Sequence, residues 1–136
     1  MNDTERFEAL EEILDLLQEM SETHTALIEG NKDRRALDNL GLCDLQTIEV
    51  QREGGPLRAA EMISEMKRPA IILTDWDDRG NRIERDLREQ MDALCVKYDA
   101  DIRLRLRDIC IKDIKDVESL DSFYERLKKL SESQNL

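Results

Sequence analysis

Two short stretches of this chain put acidic side chains where apolar runs end. Ile71, Ile72 and Leu73 lead into Thr74, Asp75, Trp76, Asp77, Asp78 and Gly80, and Ala26, Leu27 and Ile28 lead into Glu29 and Gly30. Read as buried strands, both runs deliver carboxylates to one edge of a sheet. In an open parallel sheet the loops after the strands share a rim, and α/β proteins build their sites there. Neighbouring strands lie about 4.8 Å apart, so Glu29 could meet Asp75 and Asp77 if their strands are adjacent. Crowded carboxylates repel unless protons or a cation offset the charge. Oxygen ligands without clustered His or Cys favour Mg2+, which binds through few carboxylates and keeps waters for a phosphate ligand. The chemistry served by such a site is phosphoryl transfer, with phosphodiester bonds the natural target. The competing reading is a solvated turn in which Asp77 or Asp78 caps the next helix.

These residues resemble the signature of Toprim domains: a glutamate-glycine pair after one strand (Glu29, Gly30), then Asp-x-Asp with a nearby glycine after a later strand (Asp75, Asp77, Gly80). That family includes the catalytic cores of bacterial primases and topoisomerases, certain nucleases, recombination-mediator proteins and a ribosomal-RNA-maturing ribonuclease. The chain most resembles the small stand-alone Toprim proteins of archaea and bacteria, over about Thr25 to Leu106. Each half of the pattern is weak alone; in this order, each behind an apolar run, they are fairly specific. The resemblance implies catalytic and metal-binding roles for Glu29, Asp75 and Asp77. Glu29 would be a metal ligand or the general acid/base. Asp75 is the bridging ligand if two Mg2+ ions bind rather than one, and Mn2+ is able to substitute. Asp78 has no counterpart. Nucleic acid is the implied partner, RNA or DNA, short or structured. The resemblance does not extend to a primase's zinc-binding region or a topoisomerase's strand-passage domains.

Around the acids, the pattern predicts alternating strands and helices. Asn2 to Glu22 reads as an amphipathic helix with Phe7, Leu10, Ile13, Leu14, Leu17 and Met20 on one stripe, available to a sheet or to a second copy of the chain. His24 to Ile28 is the first strand. A helix from Asn31 to Asn39 follows, stopped by Gly41. Its Lys32, Arg34 and Arg35 either bind phosphate or form a solvated face with Asp33 and Asp38. Thr47 to Val50 is a short strand. Pro56 then opens a helix to about Lys67, with Leu57, Ala60 and Ile63 or Met66 facing inward. After the central strand, Ala70 to Thr74, a helix continues to about Cys95 with Ile83, Leu87, Met91 and Leu94 inward. Of its arginines at positions 79, 82, 85 and 88, only Arg79 and Arg82 stay near the acidic rim. Together with Lys32 they are the candidate phosphate-positioning residues. Trp76 either packs beside the turn or stacks on a base.

Asp101 to Arg107 alternates, with Ile102, Leu104 and Leu106 on one face and Arg103, Arg105 and Arg107 on the other, the period of a half-buried edge strand. Ile109 to Glu118 has no assignable pattern. A final helix covers about residues 119–131, with Ser122 and Glu125 fitting a capping box and a polar, frayed tail beyond. The expected fold is therefore α/β: one domain over residues 1–136, three layers with a mostly parallel sheet of about four strands, a Toprim-like (Rossmann-like) core over residues 25–106, an N-terminal helix over residues 1–22 and a C-terminal helix.

Composition bounds the function. With 136 residues, 40% hydrophobic and 39% charged, the chain can bury one core. A net charge of −11 argues against tight, non-specific binding to long nucleic acid, which depends on Lys and Arg neutralising phosphates. A local basic track is still compatible with it. Cys43, Cys95 and Cys110 have no metal-ligand spacing and read as reduced, half-buried core thiols. His24 lacks a partner pattern. No signal peptide or membrane-length apolar run is present, so the expected location is the cytoplasm. Two functions follow. One is a Mg2+-dependent enzyme of phosphodiester or phosphoryl transfer on nucleic acid, most plausibly a small RNA or DNA nuclease. The other is a non-catalytic Toprim module that binds metal or nucleic acid within a larger complex, with a protein partner or a homodimer.

Overall fold

The computed structural model describes residues 1–134. The elements run α1 (Asp3–Met20), β1 (Thr25–Ile28), α2 (Asn31–Asn39), β2 (Gln46–Glu49), α3 (Pro56–Met66), β3 (Ala70–Ile72), α4 (Asp78–Ala93), β4 (Tyr98–Asp99), α5 (Asp101–Cys110), a 3-10 turn (Val117–Ser119) and α6 (Leu120–Gln134). All strand pairings are parallel, in the order β2-β1-β3-β4.

Strand residues point alternately to the two faces, and two hydrophobic clusters follow that period. Ala26, Ile28, Ile71 and Leu73 join Leu10, Ile13 and Leu17 of α1, Ile102 and Leu106 of α5, and Phe123 and Leu127 of α6 on one face. Leu27, Ala70 and Ile72 join Ala59, Ala60 and Ile63 of α3 and Leu87 and Met91 of α4 on the other. The result is a three-layer, Rossmann-like α/β fold with the sheet buried on both sides. Each fully buried Leu or Ile in these clusters contributes about 1.5–3 kcal/mol relative to exposure.

The chain leaves β1 toward β2 on one side and returns to β3 on the other. The switch point of the sheet therefore lies between β1 and β3, at the carboxyl ends of the strands. Register fixes the two ends together, since Leu27 pairs with Ile72 and the Leu73 amide donates to the Leu27 carbonyl at 2.9 Å.

The strand expected over Asp101–Arg107 is a helix. Asp99 ends β4, and its side chain accepts the Ile102 amide at 2.9 Å, which starts α5 instead. Ile102, Leu106, Ile109 and Cys110 then recur at helical spacing and are buried, whereas Leu104, inward in the strand reading, is 40% exposed. An alternation three apolar residues long fits both periods, and helix packing decided it. The capping box at Ser122 is also replaced: Asp116 accepts the Ser119 amide at 3.0 Å, opening the 3-10 turn that runs directly into α6. That helix continues through the segment expected to fray, as far as Gln134; Asn135 and Leu136 lie outside the described residues. Leu57 and Leu94 are exposed rather than inward; in α3 Ile63 rather than Met66 faces the core, together with Ala60 and Ala59. Cys43 and Cys95 are exposed and only Cys110 is buried. Among the described residues no helix is long and apolar enough to cross a membrane.

Candidate metal centre

Glu29 follows β1 and is 5% exposed, held by contacts at both ends of its turn. Its carboxylate Oε2 accepts the Asp75 amide at 2.7 Å. Its own amide and that of Gly30 both donate to Asp33 Oδ2, at 3.1 and 3.2 Å. Asp33 is therefore not part of a solvated face. It sits in the first turn of α2, buried behind the acidic turn, and burial pushes its carboxyl up to about 6 despite those two amides.

Asp75 follows β3 across the switch point. Its Oδ1 accepts the Val117 amide at 2.9 Å. Burial, then the negative charges of Glu29 and Asp33, push its carboxyl up to about 8, with the Val117 amide acting in the opposite direction. Asp77 caps α4: its Oδ1 accepts the Gly80 amide at 2.7 Å. Thr74 Oγ1 donates to the Gly80 carbonyl at 2.9 Å and closes the loop. The closure is tight enough that a Cβ on Gly80 would lie 1.9 Å from the Asp75 carbonyl oxygen, so backbone contact, not a special φ, demands glycine here.

One carboxylate oxygen from each of Glu29, Asp75 and Asp77 lies within 4.8 Å of the others. Oxygens sharing one Mg2+ at about 2.1 Å are at most about 4.2 Å apart, so the trio fits a single ion after a small side-chain adjustment or with a bridging water. The hard-oxygen donor set also suits that ion or Mn2+. Capping and ligation do not compete at Asp77, because a carboxylate has a second oxygen to offer.

An open cleft of about 310 Å3 adjoins the acids and is lined by Glu29, Lys32, Asp33, Asp75, Arg79 and Glu118, among others. Lys32 and Arg79, expected to position phosphate, do reach it. Arg82, expected with them, does not line it, because it lies most of a turn further along α4. Arg34 is committed elsewhere, to Asp38 and to the Leu42 and Leu45 carbonyls. A cavity of similar size, about 320 Å3, opens at the opposite ends of the strands around Lys67, Arg68, Leu94, Cys95 and Lys97. Among the described residues no carboxylate lines it, so the acid chemistry belongs to the first cleft.

Three contributions escaped sequence reasoning: Arg103, the segment after α5 and Asp33. Arg103, expected to be a surface residue, is 3% exposed and donates to the Thr74 and Asp75 carbonyls from behind the acidic loop. Trp76 packs beside the turn, as one of its two readings had it, and its indole donates to the Ile114 carbonyl at 2.8 Å while its amide donates to the Lys115 carbonyl at 3.1 Å. The unassigned segment after α5 thus braces the site, and the last of its residues, Glu118, lines the cleft. Asp33 alone left a local signal: an acid three residues after Gly30, in the first turn of a helix.

No known protein-family profile matches the chain. Its relatives include a UPF0292 protein of Methanosarcina acetivorans, 35% identical over 124 residues that cover 90% of this chain and 85% of that protein. A UPF0292 protein of Thermococcus sibiricus is 31% identical over 126 residues, covering 93% of this chain and 96% of the relative. One from Pyrococcus horikoshii is 32% identical over 123 residues, covering 90% and 89%. Among solved structures, a protein from Aquifex aeolicus superposes with a TM-score of 0.68 over 81% of this chain and 96% of its own, at 24% identity, which supports the fold.

Proposed function

This chain belongs to the UPF0292 family, and we propose that it is a Toprim-like, Mg2+-dependent phosphoryl-transfer enzyme acting on nucleic acid in the cytoplasm, a small RNA or DNA nuclease. The observation that carries the reading is the convergence of Glu29, Asp75 and Asp77 at the switch point of a parallel sheet, each offering an oxygen within 4.8 Å of the other two.

Glu29, Asp75 and Asp77 would hold the cation. When bound, Mg2+ supplies neutralisation of the charge on phosphate oxygens and orients them. Glu29 has Oε2 tied to the Asp75 amide, so Oε1 is the oxygen left to take a ligand or a proton. Burial and the charges of Glu29 and Asp33 push the Asp75 carboxyl up to about 8, so a cation held there would compete with a proton. Lys32 and Arg79, in the first turns of α2 and α4, both line the cleft, which supports a role for them in holding substrate phosphates. The overall charge of −11 confines attractive potential to such local pairs, which favours short or structured substrates over long duplexes.

The test is calorimetric titration of Mg2+ and Mn2+ into the native chain and its Asp75→Asn variant, followed by labelled single-stranded RNA and DNA. Binding that disappears in the variant, together with metal-dependent product from the native chain, is the expected result. Binding without product would assign the chain to the non-catalytic role in a larger assembly. Absence of binding would reduce the acids to a capped turn.

A further inference from the structure

A buried arginine is unusual unless its donors find partners, and Arg103 spends its Nε and Nη2 donors on the Asp75 loop and the first turn of α4. Its Nε donates to the Thr74 carbonyl at 3.0 Å. Its Nη2 donates to the Asp75 carbonyl at 2.5 Å and to Asn81 Oδ1 at 2.6 Å, and Nη1 stands 3.6 Å from Glu84 Oε2. The two carbonyls belong to the peptide units on either side of the Asp75 Cα. Fixing both planes fixes the direction of the Asp75 Cα–Cβ bond.

The first of those peptide units is gripped from two sides. Its carbonyl, on Thr74, takes the Arg103 Nε proton; its amide, on Asp75, donates to Glu29 Oε2 at 2.7 Å. A cation on the carbonyl polarises the peptide and strengthens the amide as a donor, so the guanidinium acts on Glu29 through one intervening peptide group. We propose that Arg103 is the positioning residue of this centre, orienting both Asp75 and Glu29 through the Thr74–Asp75 peptide without touching either carboxylate. The inference rests on the reading of the acidic trio as a cation site and adds to it a requirement for a fork. Lysine offers a point charge and cannot span two carbonyls and an amide.

Outer partners of metal ligands typically govern affinity by about 10- to 100-fold. The experiment therefore compares the native chain with Arg103→Lys and Arg103→Met. It measures Mn2+ affinity by calorimetry, exchange of the Asp75 amide in metal-free protein by NMR, and the urea midpoint for global stability. Expected are Mn2+ binding weakened about 10-fold or more in both variants and faster exchange of the Asp75 amide than of neighbouring β1 amides, with lysine recovering little. Full recovery by lysine would overturn the fork and leave only a charge effect. Native affinity and native protection of the Asp75 amide in Arg103→Met would overturn the proposal outright. Should Arg103→Met not fold, Arg103→Lys, which keeps the buried charge, carries both measurements. If the native chain itself binds neither Mn2+ nor Mg2+, the cation-site reading fails and this role with it, while fast Asp75 exchange in the variants would still establish the anchoring of the loop.

Discussion

The turn after β1 holds Glu29 and Gly30 with one nearby side chain, Asp33, supplied by the helix that follows. By contrast, the loop after β3 is gripped from α4 by Gly80 and Asn81, from α5 by Arg103 and from the segment before α6 by Ile114, Lys115 and Val117. Both put an acid before a glycine at a strand end, yet the first is held by its own helix and by the end of β2, where the Gln51 amide donates to the Glu29 carbonyl at 3.3 Å, and the second by elements of the C-terminal half. The difference also separates the two glycines. A Cβ on Gly80 would overlap the Asp75 backbone, whereas one on Gly30 would meet only the Gln51 side chain, at an ordinary 3.7 Å. The order of the Asp75 loop therefore depends on the packing of the whole C-terminal half, which the Glu29 turn meets through the bond from the Asp75 amide to Glu29 Oε2.

The largest effect that tests this contrast is Gly80→Ala. Backbone must move to admit the methyl group, opening both the Thr74 and the Asp77 bonds that close the loop, and the expected loss is about 3 kcal/mol or more. Against a total of about 5–15 kcal/mol for a domain, that loss should shift the urea midpoint strongly or abolish folding. A variant with native stability would mean that the loop is looser than its contacts indicate.

The same contrast explains what was readable in the sequence. Glu29, Asp75 and Asp77 stood out because an apolar run ending in acids is a local signal, and strand pairing did the rest. The extents of α2 and α3 were readable for the same reason, from Gly41 after one helix and Pro56 at the start of the other. Arg103 was hidden because Ile102 to Arg107 fits a strand period as well as a helix period, and only the core against α1 and β3 selects between them. No periodicity marks a side chain that binds carbonyls 29 residues away. The segment at Ile114 and Lys115 had no pattern because its work is done by backbone carbonyls, which every residue possesses.

A smaller effect concerns protons. The folded chain holds the Asp75 carboxyl near 8 and the Asp33 carboxyl near 6, both above the ordinary 3.8. The folded state therefore binds protons that the unfolded chain releases, and their stabilising contribution is complete below pH 3.8 and lost as pH rises through these values. Above about 6 the Asp33 share is gone, so the decline between about pH 6 and 8 belongs to Asp75. Urea midpoints in chelator should fall over that interval for the native chain and stay nearly level for Asp75→Asn. A matching decline in the variant would relocate the titrating group. If a cation displaces the Asp75 proton, Mg2+ affinity should also rise about tenfold per pH unit until about pH 8.

The smallest stability effect is expected at Gly30→Ala, where its absence is informative. Gly30 has φ near −158°, extended backbone open to any residue, and makes no side-chain cap on α2. Alanine restricts the unfolded chain, which favours folding by about 0.4–1 kcal/mol, and is a poorer helix cap by a comparable amount. The two terms oppose, so the urea midpoint should stay within about 0.5 kcal/mol of native. Gly30 nonetheless lines the cleft beside Glu29 and Lys32. A methyl group there leaves the fold intact while occupying space a phosphate would need. Unchanged stability with weakened oligonucleotide binding would assign Gly30 to close approach of a ligand and Gly80 to close approach of backbone. A large loss of stability at Gly30 would instead erase the distinction between the two loops.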